Sequence, residues 1–414
     1  MRILVIGSGG REHALCWKLA QEAEVHCAPG NPGIALDCAI HDVAVSDHAG
    51  LVALAKTLAI DLVVVGPENP LIDGLADVLR AAGLPTFGPG AEGAQLEGSK
   101  AFSKALMREA GVPTASFESF TESAPGQEYA RSMFAQGRRV VVKASGAALG
   151  KGVIVCDSVD EAERAISQMI DENEFGAAGS TVVVEERLSG PEFSLLTLCS
   201  DDQYWSLPVA QDHKRAGDGD TGLNTGGMGT YSPVPWISEA LVRQTEEECV
   251  RPILRALKGY RGVLFSGLMV SGGRAYCLEY NVRFGDPETQ SVMMRVGRGF
   301  ADALMACARG ESIRPVEVLD RAAVCVVVAS ANYPGSVQKG VPITLPRSMD
   351  SSAKLFHAGT AMKDQQLVTN GGRVFGATAF GDDVAEARAR AYELARGVQF
   401  EGRWFRNDIA DLSR

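Results

Sequence analysis

Glu279, Asn281 and Arg283 stand at every second position of the run Leu278-Glu279-Tyr280-Asn281-Val282-Arg283-Phe284-Gly285-Asp286-Pro287-Glu288-Thr289-Gln290. In a β-strand alternate side chains share one face, so an extended run points all three into one site. Carboxylate and amide oxygens are hard ligands that suit magnesium on a nucleotide. A guanidinium beside them suits an anionic group undergoing transfer. Gly285-Asp286-Pro287 then turns the chain away. The same triplet on a solvated edge strand would carry no chemistry, and the rest of the chain decides between the two.

Four other stretches could work with it. Gly7-Ser8-Gly9-Gly10-Arg11-Glu12-His13 lies between an expected strand and helix, where glycines admit an anion to a helix N-terminus. A dinucleotide fingerprint would need Gly or Ala where Glu12 stands, and an acid where Ala28-Pro29-Gly30 ends the second strand. One phosphate fits there better than NAD; a plain tight turn is the alternative. Lys143-Ala144-Ser145-Gly146-Ala147-Ala148-Leu149-Gly150-Lys151-Gly152 is one residue too short between glycines for a Walker loop, and Gly152 replaces its Ser or Thr. It reads as a glycine-rich hairpin that folds over phosphates with Lys143 and Lys151, or as an exposed hairpin. The apolar strand ending at Glu185-Glu186-Arg187-Leu188, followed by Glu192, has the form of a connector that reads adenine through its backbone, with a carboxylate for ribose; an ordinary linker is the alternative. Gln211-Asp212-His213-Lys214-Arg215, with Asn224-Thr225-Gly226-Gly227-Met228-Gly229 beyond it, mixes charges of both signs and suits a substrate with an amine and an anion. No Ser or Cys nucleophile accompanies His213, which favours a positioning or packing role over a general base.

These stretches need a scaffold of 414 residues, long enough for two to four domains. The first third alternates strands (3–6, 25–28, 62–65) with helices (11–21, 51–58, 74–82), which predicts a parallel sheet over residues 1–102. A helix at 99–110 carries Lys100 and Lys104. Strands at 140–143, 153–155 and 181–185 with a helix at 158–169 form a small α+β unit. Strands at 193–199, 264–270 and 275–281 and one long helix at 239–257 follow. Strands at 322–330 and 373–380 and a helix at 384–396 predict a separate C-terminal domain. Hydrophobic content is 46% and charged content 22%, ordinary for a globular chain. The net charge of −11 argues against nucleic acid or anionic membrane as partners. No apolar run approaches the roughly 20 residues of a membrane span. Nine scattered cysteines without a C-x-x-C pair, and no leader at the start, predict a reduced, cytoplasmic protein.

Taken together the motifs resemble the glycinamide ribonucleotide synthetases (phosphoribosylamine–glycine ligases), ATP-grasp enzymes of purine biosynthesis. The resemblance runs from GSGGREHAL at 7–15, APGNPG at 28–33 and VVGPENPL at 64–71 through FGPGAEGAQLEGSKAFSK at 87–104 and GKGVIV at 150–155. It continues with QDHKRAGDGDTGLNTGGMGTYSP at 211–233, LEYNVRFGDPETQ at 278–290, YPG at 333–335, LFHAGT at 355–360 and TNGGRV at 369–374. It implies an α/β and α+β multidomain fold: an N-terminal parallel-sheet domain (1–102), an ATP-grasp core (103–122 and 189–321) with a mobile lid (123–188), and a small C-terminal α+β domain (322–414). It implies ligation of glycine to 5-phosphoribosylamine with ATP, through a glycyl phosphate, by a monomer or weak dimer.

The same resemblance assigns residues. Lys104 and Lys143 would bind ATP phosphates, and Gly150, Lys151 and Gly152 would cover them. Glu185, Glu186 and Leu188 would form the adenine connector and Glu192 would hold ribose. Glu279 and Asn281 would be the magnesium or manganese ligands, and Arg283 would steady the acyl phosphate. Gly9, Gly10, Arg11 and Glu12 would receive the ribose phosphate, with Asp212, Lys214 and Asp286 in the substrate pocket. The chain departs from the family at Ser145, usually Asp, at Ser8, usually Asn, and in the order of its glycine-rich loop, which puts lid closure in question. The strand 264–270 offers no carboxylate, so the metal would rest on Glu279, Asn281 and the phosphates. A non-catalytic nucleotide-binding module and another ATP-grasp ligase are the competing readings.

Overall fold

Ile3 to Ile6 are wholly buried because the strand they form is covered on both faces, as a parallel strand between helices must be. A computed structural model describes residues 1–146, 152–172, 174, 176–348 and 350–413. Strands β1 (Arg2–Gly7), β2 (Glu24–Pro29), β3 (Ala39–Ile40), β4 (Leu62–Val65) and β5 (Thr86–Phe87) form one parallel sheet in the order β3-β2-β1-β4-β5. Helix Gly10–Leu19 leaves the end of β1 after the turn at Ser8-Gly9.

Four antiparallel strands form a second sheet, β6 (Phe117–Phe120), β7 (Val140–Ala144), β8 (Val153–Cys156) and β9 (Val182–Glu186), in the order β6-β9-β7-β8. Helices Ser123–Ala135 and Val159–Ile170 pack on it. Ala162, Ala165, Ile166 and Met169 are buried on one side of the second helix, at the spacing of one helical face. Gly150 and Lys151 lie outside the described residues.

The third sheet holds β10 (Glu192–Ser200), β11 (Gln203–Ser206), β16 (Arg261–Ser271) and β17 (Arg274–Asn281), in the order β11-β10-β16-β17. Between β11 and β16 come β12 (Gln211–Asp212), the hairpin β13 (Arg215–Gly217) and β14 (Thr221–Asn224), and β15 (Gly229–Ser232). The C-terminal part adds β18 (Ala322–Ala329), β19 (Ala353–His357), the hairpin β20 (Thr360–Lys363) and β21 (Gln366–Thr369), β22 (Arg373–Gly381) and helix Val384–Gly397.

The expected C-terminal domain takes part of its sheet from the central region, and one expected helix needs correction. β15 pairs with β18 in the sheet β12-β15-β18-β22-β19. The exposed ladder edge of β18 needs a partner, and a strand from the central part supplies it. The long helix at 239–257 is three pieces, Glu239–Thr245, a π turn Glu246–Val250, and Arg251–Ala256. Pro252 has no N–H for an i−4 bond, and the Arg251 N–H reaches back to Glu246 O. The Cys249 carbonyl in this turn accepts from the Tyr280 hydroxyl at 2.5 Å.

The core that positions the site is shared between the first and third sheets. Leu4, Ile6, Leu195, Leu268, Tyr280 and Val282 belong to one buried cluster. Phe284 joins a second with Ile3, Val5, Met293 and Phe300. Tyr280, Val282 and Phe284 are each about 1% exposed. Burial of each such side chain stabilises the fold by about 1.5–3 kcal/mol. Val282→Asp would break this anchor by burying an unpaired charge.

Candidate active site

The inward anchors Tyr280 and Val282 force Glu279 and Asn281 to the other face of β17. The alternation is not continuous along the strand. Gly267 pairs with Glu279 but Leu268 pairs with Cys277, so Leu278 is a bulge residue. Without it, Cys277 and Glu279 would share a face, and the buried thiol would drag the carboxylate into the core. Strand pairing ends at Asn281, so Arg283 sits in the following bend rather than in an extended strand. It still returns to the same side: its Nη2 lies 3.4 Å from Asn281 Oδ1 and 2.9 Å from Glu97 Oε1, and its Nε 3.3 Å from Glu68 Oε2. Burial alone would raise the Glu279 carboxyl, but Lys214, Lys143, Lys100 and Arg283 bring it down to about 2. A Cβ at Gly267 would stand 3.3 Å from Glu279 Cγ, so the facing strand leaves it room.

Lys104 comes from helix Lys100–Glu109, whose buried side holds Ser103, Lys104 and Met107. Lys143 comes from β7 and Glu185 from the adjacent β9, two positions off register and on the same face. Glu185 Oε2 is 2.6 Å from Lys104 Nζ, and Oε1 pairs with Lys143 Nζ. Thus the Glu185 side chain faces the two lysines. Glu186 points the other way, accepting from Ser116 Oγ at 2.6 Å and lying 3.6 Å from Arg138. Its side chain is therefore on the opposite side from Lys104 and Lys143, as alternation along β9 requires. Leu188 is half-buried past the end of β9. Ser145 ties the end of β7 to the helix Lys100–Glu109: its Oγ accepts the Ala101 N–H at 3.0 Å, and its carbonyl accepts the Lys100 N–H at 2.7 Å. It thus helps to cap the helix that carries Lys104.

Lys214 Nζ lies 2.6 Å from Glu192 Oε2. Burial works against its charge, yet Glu192, Asp212 and Glu279 hold it well above its ordinary value. Burial pushes Asp212 up, Lys214 pulls it down, and Glu288 and Glu192 push it up again, to about 7. Glu288 is buried, accepts from Ser194 Oγ at 3.1 Å, and is raised by burial. His213 packs on Tyr231, and its Nε2 accepts the Ala410 N–H at 3.2 Å. Burial and Arg406 lower it to about 4, in line with packing rather than base chemistry.

The glycine turn after β1 differs from expectation at two residues. Glu12 does not face a ligand: its carboxylate accepts the Gly9 N–H at 2.6 Å and pairs with Arg11 at 2.5 Å. It is packed between Gly7 and Gly66, where a Cβ would stand 2.5 and 2.3 Å from it. A free helix start needs an acceptor, and Glu12 provides one. Arg11 donates to Phe284 O at 3.0 Å and approaches Glu68 at 3.7 Å, so it braces the bend that carries Arg283. Gly9 does line an open cavity of about 380 Å³, with Ser8, Asn31, Asp286, Gly359, Thr360, Asn370 and Arg373. Gly10 packs under it, with a Cβ position 2.8 Å from Gln290 Nε2. Arg373 donates to Asp286 O at 2.6 Å and lies 3.5 Å from its Oδ2. Burial would raise Asp286, but Arg373 and Arg11 keep it below its ordinary value.

Glu68, Glu97, Lys100, Asn31, Asn370 and Arg373 join the site without having been singled out for it. Each lies in a motif named above, in GPENPL, LEGSK, APGNPG or TNGGRV. Their types were visible there, but their partners are distant in sequence: Glu97 meets Arg283, Arg373 meets Asp286 87 positions back, and Asn31 donates to His357 O 326 positions on. Among the described residues no three His, Cys, Asp or Glu side chains form a metal cage. Glu279 and Asn281 still fit magnesium, which keeps phosphate and water ligands and takes only one or two from protein.

Two lysines converging on one carboxylate beside the sheet that carries Glu279 and Asn281 fit the nucleotide site of an ATP-grasp enzyme. Residues 1–97, 98–289 and 323–412 match the N, ATP-grasp (A) and C domains of phosphoribosylglycinamide synthetase. The phosphoribosylamine–glycine ligase of Rhizobium meliloti is 49% identical over 418 residues, 99% of this chain and 98% of its own length. That of Vibrio parahaemolyticus is 47% identical over 422 residues, 99% of this chain and 97% of its own. The crystal structure of the Thermotoga maritima ligase has a TM-score of 0.86 at 38% identity, covering 99% of this chain and all of that one. The biotin carboxylase domain of Hydrogenobacter thermophilus 2-oxoglutarate carboxylase, solved with magnesium ADP and bicarbonate, shares the fold at a TM-score of 0.74 and 16% identity over 97% of this chain and 91% of its own. The chain belongs to the phosphoribosylamine–glycine ligase family. No helix of the described residues is long and apolar enough to cross a membrane.

Proposed function

We infer that this enzyme joins glycine to 5-phosphoribosylamine with ATP, giving glycinamide ribonucleotide, ADP and phosphate in purine biosynthesis. One observation carries the residue roles: Glu279, Asn281 and Arg283 occupy one face, within the field of Lys143, Lys100 and Lys214. A glycine carboxylate oxygen attacks the γ-phosphorus of ATP, the bond to the β-phosphate oxygen breaks, and ADP leaves. The amine of phosphoribosylamine then attacks the glycyl carbonyl, and phosphate departs with the former carboxylate oxygen. A carboxylate is a poor electrophile, and the mixed anhydride supplies its leaving group.

Lys104 and Lys143 hold the phosphates; Leu188 and the backbone at Glu185 border adenine, and Glu192 takes the ribose hydroxyls. Glu279 and Asn281 would hold magnesium or manganese, which would supply charge neutralisation to the phosphates. Arg283 stabilises the charge that develops on the transferring group. Asp212, at about 7, accepts the proton that the attacking amine must lose. Lys214 orients the glycine carboxylate. The cavity at Gly9, Asn31 and Arg373 receives the ribose phosphate, with Asp286 toward its hydroxyls. A chain of net charge −11 that works on small molecules fits a cytoplasmic monomer or weak dimer.

The test is ADP release by purified protein with magnesium, measured with both glycine and phosphoribosylamine and with each alone. Release that needs both is the expected result. No turnover above background, or turnover with formate or bicarbonate in place of glycine, overturns the reading.

A further inference from the structure

Lys104 and Lys143 are assigned to ATP phosphates, yet both ammonium groups already face an anion. Glu185 is 2% exposed, Lys104 2% and Lys143 7%, and they come from a strand, a helix and a neighbouring strand. The carboxylate bridges the two lysines, 2.6 Å from Lys104 through Oε2 and paired to Lys143 through Oε1. Lys104 also donates to Thr114 Oγ1 at 2.7 Å, and that hydroxyl donates to Cys277 O at 2.6 Å. The brace therefore reaches β17, two residues before Glu279.

We propose that the Glu185 carboxylate is the positioning residue of the nucleotide site, holding Lys104 and Lys143 charged and in place before ATP arrives and sharing them with the incoming phosphates afterwards. The proposal rests on the assignment of these lysines to ATP. Two cations this deeply buried and this close repel each other and favour their neutral forms unless an anion accompanies them. Around Lys104 the other titratable groups are Lys143 and the Cys277 thiol, neither of which supplies an anion at neutral pH. Around Lys143 they are Glu279 and Lys214, with Lys100 nearby. Burial keeps Lys104 below its ordinary value even with Glu185 present. Burial would raise Glu185 too, but Lys143 and Lys104 keep it lowered and ionised. Without Glu185, Lys104 loses its one counter-ion and part of its geometry.

The experiment is calorimetric titration of Glu185→Gln and wild type with magnesium ADP from pH 6.5 to 9, without glycine or the amine. The expected result is a Kd at least about tenfold weaker at pH 7.5 in the variant, weakening further as pH rises and Lys104 discharges, while the wild type stays nearly flat. In turnover assays the loss falls mainly on KM for ATP. Glu185→Asp keeps the charge with a shorter reach, so its affinity falls while its pH profile stays flat; it carries the test if Glu185→Gln does not fold. A Kd and pH profile in Glu185→Gln within twofold of wild type, or full affinity in Glu185→Asp, overturns the proposal. A wild type that binds magnesium ADP but releases none from ATP in the presence of glycine and phosphoribosylamine would overturn the ligase reading and leave this one standing.

Discussion

Arg283→Ala separates chemistry from scaffolding more sharply than any other single change. The guanidinium lies 2.9 Å from Glu97, 3.3 Å from Glu68 and 3.4 Å from Asn281, with its side chain about 19% exposed. If it stabilises charge that appears on the transferring group, its loss lowers kcat by roughly 10²–10³, or about 3–4 kcal/mol of barrier. KM for ATP should move by no more than about threefold, because the phosphates rest on lysines from other elements. There is also a structural cost. Glu97 is half-buried and accepts the Val282 N–H at 2.8 Å. Burial raises its carboxyl, and Arg283 is the first group that pulls it down. Breaking a buried pair costs about 3–5 kcal/mol at most, and proton uptake by Glu97 limits it, since each pKa unit is worth about 1.4 kcal/mol. In the variant, folded Glu97 keeps its proton at pH values where the unfolded chain has lost it. Stability then falls as pH rises from about 4.3, the unfolded value, through the raised folded value, and is level above it. The difference in melting temperature between wild type and variant should therefore be smaller at pH 5 than at pH 8. Steady-state kinetics with saturating glycine, ATP calorimetry and melting curves at both pH values make the assay. Equal loss in kcat and ATP affinity refutes the transition-state role, and a pH-independent difference in melting temperature refutes the account of Glu97.

Glu279→Gln should raise the magnesium concentration for half-maximal rate by about tenfold or more; an unchanged magnesium curve removes it from the ligand set. Asp212→Asn should abolish a rise of kcat/KM with pH centred near 7 and lower the plateau by roughly 10²-fold, whereas a retained inflection assigns it to another group. Arg373→Lys should raise KM for phosphoribosylamine by about tenfold or more while the Kd of magnesium ADP stays put, and a shift confined to the nucleotide would refute the placement of the ribose phosphate.

Much of this site was legible before any fold was known, and the reasons are local. Glu279 and Asn281 share a face because a pleated strand alternates, and Arg283 keeps that side although the ladder stops at Asn281. Alternation also separates Glu185 from Glu186, yet the types alone gave both a place beside adenine. What differed was the destination of charged groups near glycines. The resemblance placed Arg11 and Glu12 with the glycines at the ribose phosphate; the structure pairs them with each other and turns Arg11 on Phe284.

The chain's own order of residues determined the strands, the buried periodicity, the glycine turns and the family to which it belongs. These depend on neighbours a few positions apart. Only the tertiary structure decided that Leu278 bulges so that Cys277 and Glu279 part company, and that Glu185 pairs with both Lys104 and Lys143. Only it decided that residues near 9, 31, 286, 359 and 373 enclose one cavity. The physical reason is that a charge's partner and its cost depend on which groups share its burial. That is set by strands and helices that meet across hundreds of residues, where sequence spacing carries no distance.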